Sequence, residues 1–560
     1  MSVPVEYSKK NWWAKGDTPV RDDSRVTYLV DGRCFMLTLC LHFLRAHKYI
    51  YLANWGLTPL MEIVRGKDQR AGPDGSTEQE ALVAWLRAAG LEEADITFWS
   101  SYPLTMQAVL ARAVSRGVNV RALLWDSLPV PGLYYYKSGE AREQLEQVGV
   151  TCILDDSARG ILHHPVESLH QKITIVDGEY AFVGGIDPVI ELGGNFDHWD
   201  TSAHLFASPL RSSKDAPHPY PWHDVHALIE GPAAGDVEYN LRQRWNDVVQ
   251  RRSLGSELLL AEHPPVLPVE SNILAQIART IPEHTYSFEP LIVRGVAQLY
   301  ANALSNAQRF VHLENQYFWL RNYTGIDIPF VDTVSSEMER NINELVAALQ
   351  RGAMVTMILP DHPDPGRSYA DAALQLIYER APGAVNEGRI RVFCLGTSAS
   401  EEDGEQYRPI YVHGKVAIVD DVWATVGSAN LNNRGMSDDT EMNVATLDNE
   451  LAQHLRILLW SEHLGLASDD DLLLVQRYLG HLPQLPQEAA QAREVWNSLQ
   501  ETLSDPAIGF RLMDERAQEN LRRYKAKQPL VGHLLPYLTA EEATREGLNF
   551  NKERGWIEEA

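Results

Sequence analysis

One short arrangement of reactive residues occurs twice in this chain of 560 residues. Each copy has a histidine, a lysine two positions later and an aspartate five positions after the lysine, with an apolar run before the aspartate. The copies are His170, Lys172, Asp177 and His413, Lys415, Asp420. One match to so short a pattern would be weak, but two in one chain indicate a shared chemical role.

These residue types suit chemistry on a phosphate ester. A neutral imidazole can attack phosphorus, and an imidazolium can donate a proton to a leaving oxygen near neutral pH. A neighbouring lysine supplies fixed positive charge for the non-bridging phosphate oxygens. An in-line displacement needs its nucleophile and its acid on opposite sides of the phosphate, so we expect the two copies to meet in one site.

Strands and helices must alternate around each copy to position it. The apolar runs 173–176 and 416–419 predict short buried strands, which would place each histidine and lysine on one face. In each half, a helical stretch ends at a glycine, Gly117 or Gly352, and leads directly into another apolar run. This order predicts an α/β sheet in each half of the chain.

The pattern also suggests domain boundaries. We expect an N-terminal half at 1–262, a linker at 263–290, a C-terminal half at 291–465 and a helical tail at 466–560. The linker begins with the proline-rich run 263–268, which suits an extended connection. The tail carries no copy of the motif and is expected to pack against or cap the fold.

Composition narrows the classes of function. The chain has 44% hydrophobic and 22% charged residues, as in soluble globular proteins, and a net charge of −26. That charge disfavours a nucleic-acid enzyme and broad adhesion to anionic lipid. The four cysteines form no disulfide or metal-ligand pattern, and neither a signal peptide nor a membrane span is evident. We expect synthesis in the cytoplasm, with secretion by a route without a cleaved signal still open.

The paired motifs resemble those of the phospholipase D superfamily, and further stretches are similar to its eukaryotic-type branch. Those stretches are 184–187, 198–201, 221–225, 229–232, 243–246 and 313–318. The resemblance covers roughly residues 25–465 and implies two similar α/β sandwich domains related by pseudo-twofold symmetry, with the active site between them. The regulatory lipid-binding domains of many members are not expected, because about 25 residues precede this core.

The resemblance also implies a two-step reaction through a covalent phosphohistidine. His170 is assigned as the nucleophile and His413 as the general acid that later acts as a base toward water. This order follows the family, because the two copies are too symmetric to decide it. Lys172 and Lys415 would hold the phosphate oxygens. No metal or other cofactor is expected, since the lysines supply positive charge and the sequence shows no ligand cluster.

Each histidine needs an acceptor that fixes its tautomer. Glu441 follows His413 by 28 residues and matches the family's second-half carboxylate. Asp200 is expected to be its first-half counterpart, with Asp197 as the alternative.

Five further side chains complete the expected site. Asp177 and Asp420 close the catalytic motifs and are expected to hold loops or the opposite half rather than react. Ser428 and Asn430 are expected to contact the substrate phosphate. Asp187 replaces that asparagine in the first half, and we interpret it as structural because a carboxylate there would repel phosphate.

The predicted reaction is hydrolysis of the distal phosphodiester of a glycerophospholipid to phosphatidic acid and free head group, with transfer to alcohols. The alternatives are a cardiolipin-synthase-like phosphatidyltransferase, a nuclease or other phosphodiesterase, and an inactive lipid-binding protein. The absence of predicted membrane spans and the presence of the eukaryotic-type stretches disfavour the synthase. The negative net charge disfavours the nuclease. The two intact motifs disfavour an inactive protein.

The expected partner is the surface of a phospholipid membrane, contacted peripherally, with neither nucleic acid nor a transmembrane segment involved. The apolar, aromatic run 128–136 is a candidate for that contact, since tyrosine suits the bilayer interface. Lipid degradation and a secreted effector role would both fit such a chain.

Overall fold

A computed structural model describes most of the chain. The described residues are 7, 9–69, 79–101, 103–126, 138–158, 167–190, 195–212, 219–323, 333–363 and 366–558. The aromatic run 128–136 lies outside them. Every helix among them is too short or too polar to cross a bilayer.

The first half forms one sheet with helices around it. Its strands are β1 (Val20–Val30), β2 (Tyr49–Asn54), β3 (Asn119–Trp125), β4 (Thr151–Asp155), β5 (Ile173–Val176), β6 (Tyr180–Gly184), β7 (Trp222–His223) and β8 (Val225–Glu230). Its helices are α1 (Asp31–Arg45), α2 (Gln79–Ala88), α3 (Glu93–Ser101), α4 (Met106–Ser115), α5 (Ser138–Glu146) and α6 (Pro232–Arg251). The strand order is β4-β3-β2-β5-β6-β8-β1, parallel from β4 to β2 and antiparallel beyond.

The second half repeats this sheet. Its strands are β9 (Ile273–Ile281), β10 (Val293–Arg294), β11 (Phe310–Asn315), β12 (Met354–Ile358), β13 (Ile390–Glu401), β14 (Gly404–Pro409), β15 (Tyr411–Val412), β16 (Lys415–Val419), β17 (Trp423–Gly427) and β18 (Glu441–Leu447). Its helices are α7 (Gly295–Asn306), α8 (Ser336–Gln350), α9 (Ser368–Arg380), α10 (Pro382–Asn386) and α11 (Asn449–Leu464). The order β13-β12-β11-β16-β17-β18-β9 has the same parallel and antiparallel pairs as the first sheet.

The matching strand orders confirm the predicted pair of similar α/β domains. They also correct the predicted linker, because residues 273–281 form strand β9, which has the place in its sheet that β1 has in the first. The two sheets are joined through β1, whose start pairs with β9 and whose end pairs with β8.

A shared apolar core holds the two halves together. On β16, Val416 and Ile418 belong to a core that also contains residues of the first sheet, whereas Ala417 and Val419 face the helices of the second half. On β6, Val183 enters the shared core and Phe182 faces the helices of the first half. Because side chains alternate along a strand, each sheet is buried on both faces.

The C-terminal tail is helical, as expected, but it also extends the second sheet. Its elements are α12 (Asp469–Leu479), α13 (Pro486–Leu503), α14 (Pro506–Lys525), β19 (Leu534–Pro536) and α15 (Ala540–Arg545). Strand β19 pairs antiparallel with β13, so the tail is an integral part of the second half.

Candidate active site

Each motif histidine is held by a carboxylate from the opposite half of the chain. Nδ1 of His170 lies 2.9 Å from Oε1 of Glu441, and Nδ1 of His413 lies 2.6 Å from Oδ2 of Asp224. Both carboxylates are buried. A carboxylate at Nδ1 fixes the proton there, which makes Nε2 the reactive nitrogen of each imidazole. The crossed pairs mean that neither half contains a complete site.

Strand register shows that the two carboxylates are equivalent. In the first half, Gly184 on β6 pairs with the residue two positions after Asp224. In the second half, Gly427 on β17 pairs with the residue two positions after Glu441. The crossed histidine–carboxylate pairs therefore follow the pseudo-twofold symmetry of the fold.

Asp200 is not the orienting carboxylate that the sequence predicted. Its Oδ2 accepts hydrogen bonds from His204, Arg211 and the backbone N–H of Trp222. The alternative, Asp197, pairs with a buried arginine. The connection from β6 to β8 is much longer than that from β17 to β18, so the carboxylate equivalent to Glu441 lies farther along the chain from its motif.

The residue that follows Gly184 and the one that follows Gly427 each contact the orienting carboxylate of their own half. A Cβ atom on Gly185 would lie 2.1 Å from Oδ1 of Asp224, so only glycine fits there. The equivalent Ser428 donates its hydroxyl to Oε2 of Glu441, and this serine is fully buried. In the structure Ser428 supports Glu441, and its expected contact with the substrate phosphate stays a prediction.

The two motif lysines have different environments. Nζ of each donates to the backbone carbonyl of its own motif histidine. Lys172 also forms an ion pair of 2.9 Å with Asp187. Lys415 instead donates to Oε1 of Gln316 at 3.1 Å, and that oxygen also accepts from Nδ2 of Asn430 at 3.1 Å. Asp187 is thus in contact with the lysine of the first motif, and its interpretation as a structural residue outside the phosphate site stays a prediction.

Burial controls the protonation of these groups. It lowers the pKa of His170 and of His413 well below the usual value, and the nearby lysines lower both further. It raises the pKa of Asp224 to about 7 and that of Glu441 well above its usual range. It also lowers the pKa of Lys415 to about 7. The free site therefore has neutral imidazoles, and an arriving phosphate anion would favour their protonation.

Asp177 and Asp420 lie at the far ends of β5 and β16, a strand's length from the motif histidines. Both adopt left-handed backbone conformations, with φ of 57° and 56°. The carboxylate of Asp177 accepts the backbone N–H groups of residues 47–49. That of Asp420 accepts those of residues 308–310. These positions fit a role in holding the starts of β2 and β11, not in the chemistry.

Aromatic side chains flank the histidines, and they differ between the halves. The ring of Trp55 lies 6.3 Å from that of His170, and Nζ of Lys172 lies 5.7 Å from the centre of the same indole. The ring of Trp222 lies 4.6 Å from that of His413. This difference was not expected from the repeated motif, because the indoles come from non-equivalent positions of the two halves.

A second buried polar group lies beside His413, whose backbone N–H donates to the carbonyl of His223. Asp31, His204, His223 and Glu462 each offer a ligand atom, and these atoms lie within 4.8 Å of one another. Two histidines and two carboxylates could hold a divalent cation. Burial alone would lower the pKa of His204. The negative charge of Asp31 and of the neighbouring carboxylates outweighs that effect and raises this pKa to about 10.

This group was not expected from the sequence, and the expectation that no metal is required stays a prediction. Its members come from four distant segments of the chain, so their spacing gave no pattern that could be found in advance. Only the fold brings them together.

Two family models match the sequence of this chain. A family model described as phospholipase D matches residues 99–380, half of the chain, and one described as cardiolipin synthase, PLD-like domain matches residues 300–461. The chain belongs to the phospholipase D superfamily.

The relatives are distant. Phospholipase D alpha 1 of Brassica oleracea var. capitata and that of Zea mays are each 27% identical over 65% of this chain, which spans 59% of their length. Among solved structures, phosphatidylserine synthase of Haemophilus influenzae has a TM-score of 0.44 and 12% identity, covering 90% of this chain and 95% of its own. The phospholipase D family member Nuc of Salmonella typhimurium has a TM-score of 0.21 and 18% identity, covering 32% of this chain and 88% of its own.

Proposed function

We propose that this chain is a phospholipase D, a phosphodiesterase that hydrolyses the distal phosphodiester of glycerophospholipids at a membrane surface. The observation that supports this most is the crossed pairing of His170 with Glu441 and of His413 with Asp224. The pairing supports a single buried site with two carboxylate-oriented imidazoles and the two motif lysines. Such a set can supply a nucleophile, an acid and positive charge to a single phosphodiester.

In the first step, Nε2 of His170 attacks phosphorus and the bond to the head-group oxygen breaks. His413 gives its proton to that oxygen as it leaves. Lys415, with the amides of Gln316 and Asn430 beside it, would hold the non-bridging oxygens. The negative charge of the bound phosphate supports the protonated state that His413 needs at this point.

In the second step, His413 takes a proton from water, and that water attacks phosphorus. The bond from phosphorus to His170 breaks, which releases phosphatidic acid and restores the neutral imidazole. An alcohol in place of water would give a new phosphatidyl ester by the same route. The assignment of His170 as the nucleophile follows the family order of the two motifs.

A cardiolipin-synthase-like phosphatidyltransferase is the second candidate. It is favoured by the match of residues 300–461 to a model described as cardiolipin synthase. The chemistry is the same, with the hydroxyl of a phosphatidylglycerol as the acceptor. A nuclease is disfavoured by the net charge of −26.

One experiment separates these functions. Pure protein is incubated with mixed phospholipid vesicles, with and without ethanol, and separately with plasmid DNA. We expect phosphatidic acid, a phosphatidylethanol product in ethanol, and intact DNA, with His170→Asn and His413→Asn as inactive controls. Cardiolipin as the main product would favour the transferase, and nicked DNA without lipid cleavage would contradict the proposal.

Trapping the intermediate tests the order of the histidines. With a nitrophenyl phosphodiester, the leaving group needs no acid, so His413→Asn should still form the adduct but fail to hydrolyse it. Peptide mapping under alkaline conditions should then find phosphorus on His170. An adduct on His413 in a protein that retains His170 would reverse the two roles.

A further inference from the structure

The residue between the histidine and the lysine differs between the two motifs. It is Gln171 in the first motif and Gly414 in the second. The side chain of Gln171 is buried, and its Oε1 accepts hydrogen bonds from Nδ2 of Asn240 at 2.8 Å and from Nη1 of Arg244 at 2.9 Å. Both lone pairs of this amide oxygen are therefore used, which fixes the side chain in one position.

The amide nitrogen of Gln171 contacts the opposite half of the chain. Its Nε2 donates to the backbone carbonyl of Glu441 at 3.1 Å. The carboxylate of the same glutamate lies 2.9 Å from Nδ1 of His170. His170, Gln171 and Glu441 thus form a closed loop of one peptide bond and two hydrogen bonds. This loop fixes the proposed nucleophile relative to the carboxylate that orients it.

Two other buried side chains hold Arg244. Its Nε donates to the hydroxyl of Tyr286 at 2.8 Å, and its Nη2 donates to Oδ2 of Asp155 at 3.1 Å. The hydroxyl of Tyr286 donates to the same carboxylate oxygen at 3.1 Å. Arg244 and Asp155 are both buried, so each compensates the charge of the other inside the fold. With these two partners in place, Nη1 of Arg244 is directed at Gln171.

The proposed reaction gives no role to the stretch from which this arginine comes. Arg244 belongs to 243–246, one of the stretches that carry the resemblance to the eukaryotic-type branch. Asn240 and Arg244 lie four residues apart on helix α6 and therefore share the face that contacts the first motif. Gly414 offers no side chain for a contact of this kind. The first motif is thus held by a buried polar network that its own sequence makes possible and that of the second motif does not.

We propose that Arg244 is a positioning residue for the attacking histidine. Acting through Gln171, it holds His170 and Glu441 in the geometry from which Nε2 reaches phosphorus. The proposal rests on the proposed function, which makes His170 the nucleophile. A displacement of about 1 Å at a reacting group can cost roughly 10²-fold in rate, so the network acts on the rate of attack rather than on substrate affinity.

Gln171→Met and Arg244→Lys test this role. Methionine removes the amide at similar size, and lysine keeps a positive charge for Asp155 but cannot reach Asp155, Tyr286 and Gln171 together. We would measure single-turnover release of nitrophenolate from bis(p-nitrophenyl) phosphate, with enzyme in saturating excess. The rate constant should fall by about 10- to 100-fold in both variants. Because enzyme is in excess, this constant does not depend on the fraction of molecules that are folded, and a merely structural role would not change it.

Arg242→Lys is the matched control. Arg242 is another buried arginine of α6, and it contacts Glu238 and the backbone carbonyl of Ala261. These contacts do not involve the first motif, so we expect a single-turnover rate constant near that of wild type. An equal loss in this variant would assign the effect to the helix as a whole and overturn the proposal. On short-chain phosphatidylcholine, the loss in the two test variants should appear in kcat, with KM within about two-fold of wild type.

The double variant tests the route of the effect. Because Arg244 acts through Gln171, Gln171→Met combined with Arg244→Lys should be no slower than Gln171→Met alone. Multiplied losses would overturn the route through Gln171. Rate constants within about two-fold of wild type in both single variants would overturn the positioning role. If Arg244→Lys does not fold, Arg244→Gln together with Asp155→Asn takes its place, since that pair removes both buried charges at once.

A readout without substrate separates this inference from the proposed function. The proton on Nδ1 of His170 faces Glu441 and should give a downfield NMR signal that is absent from His170→Asn. The signal should shift in Gln171→Met and in Arg244→Lys but not in Arg242→Lys. An unchanged signal in both test variants would overturn the positioning role. The absence of phosphatidic acid from every lipid with the wild type would overturn only the proposed function, and the NMR signal would still decide whether Arg244 positions His170.

Discussion

Asp224→Asn tests the crossed pairing most directly. The substitution keeps the size of the side chain but removes the charge that accepts the Nδ1 proton of His413 at 2.6 Å. The new amide can donate to Nδ1, which would move the proton to Nε2 and leave the imidazole in the wrong tautomer for general base catalysis. The change therefore acts on the proton-transfer steps rather than on binding.

The expected loss follows from comparable histidine–carboxylate pairs. Replacing an orienting carboxylate with its amide costs about 10³- to 10⁴-fold in turnover. That range corresponds to roughly 4–5.5 kcal/mol of activation free energy. Simple loss of a charged hydrogen bond would cost only about 1.5–3 kcal/mol, so the larger effect identifies the tautomer as the cause.

A nitrophenyl phosphodiester separates the two steps in this variant. Its leaving group needs no proton, so the first step should give a rapid burst of nitrophenolate close to the enzyme concentration. The second step needs His413 as a base, so steady-state turnover should be slow. Stopped-flow absorbance measures both phases, and the phosphoryl adduct should be recoverable from the burst.

The matched control is Asp200→Asn, the same change at the residue that the sequence favoured. Asp200 contacts Arg211 and His204 but neither motif histidine. We expect near-normal turnover per folded molecule, with stability reduced by about 3–5 kcal/mol because Arg211 loses its buried partner. Turnover of Asp224→Asn within ten-fold of wild type would contradict an orienting role for Asp224, and so would equal inactivity of folded Asp200→Asn.

Three further outcomes are expected. First, kcat/KM should fall as pH rises through about 7, because burial lowers the pKa of Lys415 to about 7 and the uncharged amine no longer attracts phosphate. The variant Lys415→Arg should lack this fall. A fall that persists in Lys415→Arg would show that another group causes the pH dependence. Second, Asp177→Ala and Asp420→Ala should each reduce the free energy of unfolding by about 3 kcal/mol, because three backbone N–H groups lose their acceptor in each variant. Urea titration measures this loss, and turnover per folded molecule should be retained. Loss of catalysis without loss of stability would contradict this role. Third, Glu441→Gln should slow the nitrophenolate burst itself, unlike Asp224→Asn, because Glu441 orients the nucleophile; a normal burst would remove that role.

The repeated motif was enough to predict much of the fold. Apolar runs after each lysine formed β5 and β16, and both glycines that end helical stretches precede parallel strands. The position of β9 was missed because proline-rich sequence precedes it and its pairing partners lie far along the chain. Local patterns show that a strand forms, but they do not show which sheet it joins.

The orienting carboxylates were predicted only in part. Glu441 was identified through the resemblance to the family, and in the structure it pairs with His170 rather than with the histidine of its own half. Asp224 lies in the stretch 221–225 that carries the resemblance, but Asp200 was the residue expected to orient a histidine. Symmetry of the fold preserves strand register and not loop length, so the equivalent residues are found by pairing and not by counting.

The remaining differences between the half-sites have a common reason. Duplication gives two equivalent histidine–carboxylate pairs, but a phospholipid has two different alcohols on its phosphorus. A fully symmetric site would bind the substrate in both orientations and cleave either ester. Lys172 is paired with the carboxylate of Asp187, whereas among the described side chains Lys415 donates to the amide of Gln316. On the proposed function, this asymmetry would give the substrate one preferred direction, with the head group at His413 and the nucleophile opposite.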